Sequence, residues 1–397
     1  MIIKIININK IETNNGTIDN SDILIQKGII TKISPKIDEY ADNIIDANQN
    51  ILTPGFVDSH THPIFINNRA NEFQQRCSGK TYEQIASDGG GILSSIKNLR
   101  NADEDSIFNY CLKNINKFLN NGTTTIEAKS GYGLTLNDEL KSLRIIKKIN
   151  NQSALDIIPT FMGAHAFPPE YIDNKDAYID IICKEMIPQV SQEGLAEFCD
   201  VFCEEGYFSI EQTKKIFESA LTFDLKLKIH ADEFVDIGAA SLAVEMGAIS
   251  ADHLMVTGNK GKIALANSQT IATLLPGTTF FLGKKAYASG RDLIDKGCKV
   301  AIATDFNAGS CTLQSMPDIM FLSMLYCGLD LHEAFNAATY NGAKAIDRDM
   351  KKGLIKEGYD ADILFWDIDS LNEVPYWFGG SHSRLSKIMK AGKILAI

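Results

Sequence analysis

Five of the seven histidines stand at the ends of short apolar runs. His60 and His62 close GFVDSHTH, His165 closes LDIIPTFMGAH, His230 lies in LKLKIHADEF and His253 in ISADHLM. Asp305 sits at the end of a similar run, KVAIATDFN. Side chains alternate across a strand, so the H-x-H pair puts both imidazoles on one face. A single H-x-H at the start of a loop is usually accidental. Satisfied core histidines would not gather at strand ends, however, and only His332 and His382 fall outside the pattern.

Three imidazoles and one carboxylate suit a single Zn2+ or Fe2+, and Fe3+ is also compatible. His60, His62, His230 and Asp305 form the expected ligand set. An open coordination position would leave room for a water whose pKa the ion lowers. His253 has two readings, a further ligand or a hydrogen-bonding neighbour of that water. Glu233 lies three residues past His230 in HADE and can follow the strand out over the site. A carboxylate there could carry a proton from water to a leaving nitrogen. The plainer alternative is a solvated loop glutamate. Asp305 is a second candidate for the proton.

The elements that must position these residues follow from the hydrophobic pattern. Eight apolar, β-rich runs alternate with amphipathic stretches: GFVDSHTH, TTTIEAKSG, LDIIPTFMGAH, AEFCDVFCEEG, LKLKIHADEF, ISADHLM, TIATLLPG and KVAIATDFN. That alternation predicts a (β/α)8 barrel, whose active sites lie at the C-terminal ends of the strands. Crossover helices are expected near 105–119, 138–149, 211–221, 238–246 and 292–296. The stretch from Pro63 to Ile92 reads as loop, with a turn at Gly89–Gly91. Residues 1–52 and 353–397 are short alternating segments punctuated by Gly and Asn. They are expected to meet in one small β-sandwich, with the barrel spanning 53–352.

The bulk composition limits the function. The chain has 397 residues, 45% hydrophobic, which suffices for one large barrel and an accessory piece. Its net charge of -11 argues against nucleic acid or an anionic membrane as partner. The eight cysteines form no CxxC pair and read as reduced core residues, which points to the cytoplasm. The start, MIIKIININKI, has no signal-peptide pattern, and no apolar run is long enough to span a bilayer.

In their order, PGFVDSHTH, HADE, ADH and ATDFN resemble the amidohydrolase superfamily, as does the late phrase KKGLIKEGYDADILFW. The fourth strand, FCDVFCEEG, lacks the lysine that many dinuclear members carry, which favours one metal. NNRANEF, IEAKSGYGL, GAHAFPPEY, DVFCEEGYFS, LLPGTTFFL, ATDFNAGS and VPYWFG resemble the imidazolonepropionase family within it. These phrases run from about Pro54 to Gly379. Ser59 and Ala308 depart from the commoner cysteine and proline.

The resemblance implies hydrolysis of the ring amide of 4-imidazolone-5-propanoate to N-formimidoyl-L-glutamate, the third step of histidine degradation. It further implies a homodimer and a set of substrate contacts. Arg69 would grip the propionate with two parallel hydrogen bonds. Tyr132, His165 and Glu233 would contact the ring, as would the segment of Asn307, Gly309 and Ser310. His253 would stabilise the oxyanion, and Glu233 or Asp305 would protonate the leaving nitrogen. Two rivals stand beside this reading. One is another single-metal amidohydrolase, such as a cyclic-imidate hydrolase or a deaminase. The other is a catalytically dead scaffold, which the intact ligand set disfavours.

Overall fold

The computed structural model describes residues 1–81, 84–85 and 88–395. Eight parallel strands run in sequential order: β8 (Phe56–Asp58), β9 (Thr123–Lys129), β10 (Asp156–Ala164), β11 (Phe198–Cys203), β12 (Lys226–Ala231), β13 (Ser250–His253), β14 (Ile271–Leu274) and β15 (Val300–Ile302). Their residues are almost all buried, as expected for strands covered on both faces. All eight correspond to the runs read from the sequence.

The ring closes beyond the last regular pairing. The His62 amide donates to the Phe306 carbonyl at 2.8 Å, and the Asp305 amide donates to the His60 carbonyl at 3.0 Å. One layer below, Asp58 accepts from the Thr304 amide (3.1 Å) and hydroxyl (2.6 Å). The barrel is therefore sealed by the segments that carry the first and last candidate ligands.

Both termini add sheets. A four-stranded sheet has the order β5-β4-β1-β6, from β1 (Ile2–Ile6), β4 (Asp22–Gln26), β5 (Ile29–Ser34) and β6 (Asn43–Asp46). A six-stranded sheet has the order β18-β17-β16-β7-β2-β3. It joins β2 (Lys10–Thr13), β3 (Gly16–Asp19) and β7 (Ile51–Pro54) to β16 (Ile363–Trp366), β17 (Leu385–Lys390) and β18 (Lys393–Leu395). Ile3, Ile5, Ile25, Leu52, Ile363, Phe365 and Met389 pack into a single buried cluster. An ion cluster ties this part to the barrel. Lys390 Nζ lies 2.6 Å from Asp156 and 2.7 Å from Asp362, and Lys352 pairs with Asp156, Asp360 and Asp362.

Helices Glu104–Ile115, Leu136–Asn150, Ile210–Thr222, Ala239–Glu245 and Gly290–Asp295 lie where crossovers were expected. The reading of 63–92 as loop needs correction, because Ala70–Cys77 is helical. None of that helix is buried, so no apolar stripe announces it. Tyr82, Glu83, Ala86 and Ser87 of the same stretch lie outside the described residues. Among the described residues no helix is long and apolar enough to cross a membrane.

Candidate metal centre and active site

The strand ends bring three imidazoles together. His60 Nε2 and His230 Nε2 each lie 3.2 Å from His62 Nε2. Asp305 Oδ1 flanks the group, 3.6 Å from His60 Nε2 and 3.5 Å from His62 Nε2. Two tautomers are fixed from behind. His60 Nδ1 meets Asp252 Oδ2 at 2.7 Å, and His230 Nδ1 meets Asp200 Oδ1 at 3.0 Å. A carboxylate only accepts, so both Nδ1 atoms carry the hydrogen and both Nε2 atoms present lone pairs.

Burial pushes His60 and His62 well below the usual histidine range, and neighbouring Lys129, His165 and His230 add to the effect. The rings are therefore neutral. The Nε2 lone pairs of His60 and His230 both point at His62 Nε2, and with His62 in the Nδ1–H form the three would repel unless a cation sat between them. Their spacing matches the edge of about 3.3 Å of a tetrahedron built on bonds of about 2.0–2.1 Å, so the donor set fits one divalent ion. Burial drives the Asp305 carboxyl up to about 6 even though Thr278 donates to its Oδ2 at 2.5 Å. A bound cation would reverse that preference.

His253 and Glu233 stand together at the rim. His253 Nδ1 is 3.6 Å from Glu233 Oε2, and its ring lies 5.1 Å from that of His230. The Glu233 carboxyl rises to about 7 through burial and the nearby Asp305. Glu204 accepts from the Phe234 and Val235 amides at 2.9 and 3.1 Å and so fixes the turn that presents Glu233. His253 and Asp305 both adopt left-handed backbone, with φ of 78° and 53°. For residues other than glycine that conformation costs about 1–2 kcal/mol each. Strain of this kind gathers at functional sites.

His165 stacks on His62 with centroids 5.1 Å apart, and its Nδ1 donates to the Gly131 carbonyl at 2.9 Å. Burial lowers this imidazole to about 3, so it is neutral, and with Nδ1 donating its Nε2 is an acceptor. Gly131 (φ 113°) permits the approach, since a Cβ there would sit 3.0 Å from His165 Nδ1. Tyr132 is 5.4 Å from His165, ring to ring.

Arg69 lies against the loop that follows Asp305. Its guanidinium rests on Gly309, where a Cβ would fall 1.6 Å from Nη2 and 1.8 Å from Nε. The Arg69 Nε is buried without a hydrogen-bond partner among the described residues, and Glu72 stands 3.7 Å away. The Asn307 side chain organises the loop beneath. Its Oδ1 accepts from the Gly309 and Ser310 amides at 2.9 and 2.7 Å, and its Nδ2 donates to the Asp305 carbonyl and to Ser310 Oγ, both at 2.7 Å. Asn307 thus shapes the loop, and its polar atoms are already engaged there.

The sequence reading missed the layer behind the imidazoles. Glu127, Lys129, Asp200, Lys228 and Asp252 are all 0% exposed inside the barrel. Burial alone would raise the Asp200 carboxyl, but His230 and Lys129 outweigh it and hold it well below the usual range. Burial likewise opposes the Lys129 charge, and Asp200 and Glu127 overcome it. The available signal was charge recurring at every second position of otherwise apolar parallel strands, as in E-A-K and K-I-H.

Comparison with known proteins fits this geometry. Residues 51–395 match the amidohydrolase family, whose members are metal-dependent. The chain resembles an adenosine deaminase from Xanthomonas campestris with bound zinc (TM-score 0.75, 15% identity, 99% of this chain and 92% of that one). It also resembles a guanine deaminase from C. acetobutylicum (TM-score 0.73, 16% identity, 100% and 99%). At such identities the likeness is one of fold. Sequence relatives are much nearer. The imidazolonepropionase of Clostridium tetani is 43% identical over 91% of this chain and 88% of its own length. That of Geobacillus kaustophilus is 41% identical over 96% and 91%. That of Thermoanaerobacter pseudethanolicus is 44% identical over 89% and 85%. Such identity over about nine-tenths of the chain shows that it belongs to the imidazolonepropionase family of amidohydrolases.

Proposed function

We propose that the chain hydrolyses 4-imidazolone-5-propanoate to N-formimidoyl-L-glutamate. The observation that carries this is the Arg69 guanidinium seated on Gly309, its buried Nε without a hydrogen bond among the described residues and with the Glu72 carboxylate 3.7 Å away, in a member of this family. It offers the charge that a propionate tail requires.

His60, His62, His230 and Asp305 would hold one metal ion, Zn2+ or Fe2+, with Fe3+ also compatible. Such an ion acidifies water and polarises a carbonyl. The residues of the chain do the rest. Arg69 anchors the propionate and so fixes the ring over the imidazoles. His165, an acceptor at Nε2, takes a ring N–H, and Tyr132 closes the same side. Glu233 removes a proton from the attacking water and delivers it to the ring nitrogen as the C–N bond breaks. The water oxygen remains in the new carboxylate. His253 faces the developing oxyanion and is held there by Glu233. Gly309 and Ser310 form the floor under the substrate, on the turn set by Asn307.

The domain plan is a barrel over 53–352 flanked by 1–52 and 353–397. A homodimer is proposed as well, supported by the exposed Phe280 and Phe378, whose rings are 6.2 Å apart. The cytoplasm is the proposed compartment, supported by eight unpaired cysteines.

The test is turnover of freshly generated 4-imidazolone-5-propanoate by protein of known metal content. Metal-dependent appearance of formimidoylglutamate is expected. Metal-loaded protein that leaves this substrate intact but deaminates a purine or opens a hydantoin would overturn the reading.

A further inference from the structure

Two buried lysine–aspartate pairs stand behind the imidazoles, one closed by a hydrogen bond and the other facing through charge alone. In the first, Lys129 Nζ donates to Asp200 Oδ2 at 2.7 Å and to Glu127 Oε1 at 2.5 Å, while the other Asp200 oxygen takes His230 Nδ1 at 3.0 Å. In the second, Lys228 Nζ donates to Ser250 Oγ at 2.6 Å and to the Ala345 carbonyl at 2.9 Å. Its charge faces Asp252 Oδ2 at 3.7 Å, and that oxygen takes His60 Nδ1 at 2.7 Å. Both lysines and both aspartates are 0% exposed.

Burying an ion pair is costly, and two such pairs inside a barrel do little for stability that leucines would not do. Their geometry offers another reason. Asp200 is gripped at both oxygens, which fixes the plane of the carboxylate and thereby the Nδ1–H it receives. If His230 carried its proton on Nε2 instead, that hydrogen would point at His62 Nε2, 3.2 Å away, and one lone pair of the cluster would be lost.

We propose that Lys129 and Lys228 are positioning residues. Lys129 holds Asp200 by a hydrogen bond and Lys228 sets its charge 3.7 Å from Asp252, so that His230 and His60 respectively keep their Nδ1–H tautomers and present Nε2 to the metal. The inference rests on the ligand assignment above and extends it one layer back. It places the selection of the donor atoms in the protein before any ion arrives.

The test reads tautomers directly. Metal-free protein carrying 15N in its histidine rings is examined by long-range proton–nitrogen correlation, with rings assigned through single histidine variants. His230 and His60 should both carry hydrogen on Nδ1 in the unaltered chain. Lys129→Met, which removes the hydrogen bond to Asp200, should shift His230 more than His60, Lys228→Met should shift His60 more than His230, and each should weaken zinc binding about 10- to 100-fold in a chelator competition. Glu127→Gln, which leaves the Lys129–Asp200–His230 chain intact, should move neither ring. A merely structural role would disturb both rings equally in either variant, and that result would overturn the proposal. So would Nε2–H on either ring of the unaltered protein, a measurement that needs no variant to fold. None of these readouts involves the organic substrate, so a wrong substrate would leave them unchanged.

Discussion

Gly309→Ala isolates the arginine seat from the metal centre. A Cβ at this position falls 1.6 Å from Arg69 Nη2, 1.8 Å from Nε and 1.9 Å from Cζ. Ordinary contact needs about 3.5 Å, so the guanidinium must retreat by about 2 Å. The Arg69 amide is anchored to the Ala308 carbonyl at 3.1 Å, so the side chain has to swing away. Gly309 shows no left-handed φ, and the displaced group is the end of a flexible side chain, so the melting temperature should hardly change. What is lost is a charge-assisted grip on the propionate, worth about 1.5–3 kcal/mol, or roughly 10- to 150-fold in kcat/KM. Bound metal per chain should stay the same. The assay is steady-state turnover for Gly309→Ala, Arg69→Ala and the double variant. Two changes that disable one grip should not add, so the double variant should match Arg69→Ala alone. Wild-type kinetics in Gly309→Ala, or full additivity in the double variant, would refute the seat.

Three further outcomes are expected. His230→Ala should lose bound metal and turnover together, as read by metal analysis beside the activity assay. Glu233→Gln should keep its metal but lose about 10²–10⁴-fold in kcat, the usual worth of a proton-transfer group. Asp156→Asn should weaken the junction between barrel and terminal sheets in a pH-dependent way. Burial opposes the Asp156 charge, but Lys390 and Lys352 outweigh it and hold the carboxyl below its usual range. A depressed carboxyl stabilises above its unfolded pKa, and the contribution disappears as pH falls through the folded value. The variant should therefore lag wild type in urea at pH 7 by about 1 kcal/mol, since Asp156 is 43% exposed and its pairs are screened, and the gap should close as pH falls below the usual carboxylate range.

The barrel was legible because its eight strands are continuous runs of Ile, Val, Phe, Leu and Ala, and the histidines stand where those runs stop. Other elements lacked any such signal. Met316–Tyr326 is apolar on nearly every face and buried along most of its length, so it shows no stripe. Between Lys175 and Gln192 the helical pattern is interrupted by a π-turn at Ile182–Met186 and by Pro188, which blurs its period. The candidate ligands could be read because imidazoles are rare. Lys129, Asp200, Lys228 and Asp252 could not, because lysine and aspartate usually face solvent, and only the closed ring turns those positions inward. The resemblance implied Asn307 as a substrate contact, and its bonds within the loop became visible only in three dimensions.

The seam between β8 and β15 has a consequence for how the protein is made. Asp58 and Thr304, which bond across it, are 246 positions apart in the chain. A contact of that span forms late, after the loop entropy of nearly the whole barrel has been surrendered. During synthesis the first seven strands can fold against one another, but the Asp305 carboxylate and the backbone bonds that orient His60 and His62 arrive only with the eighth. A nascent chain ending before Asp305 has an open edge and a loose histidine pair. Ring closure and completion of the centre are one event, and metal capture should therefore mark the moment at which the barrel becomes whole.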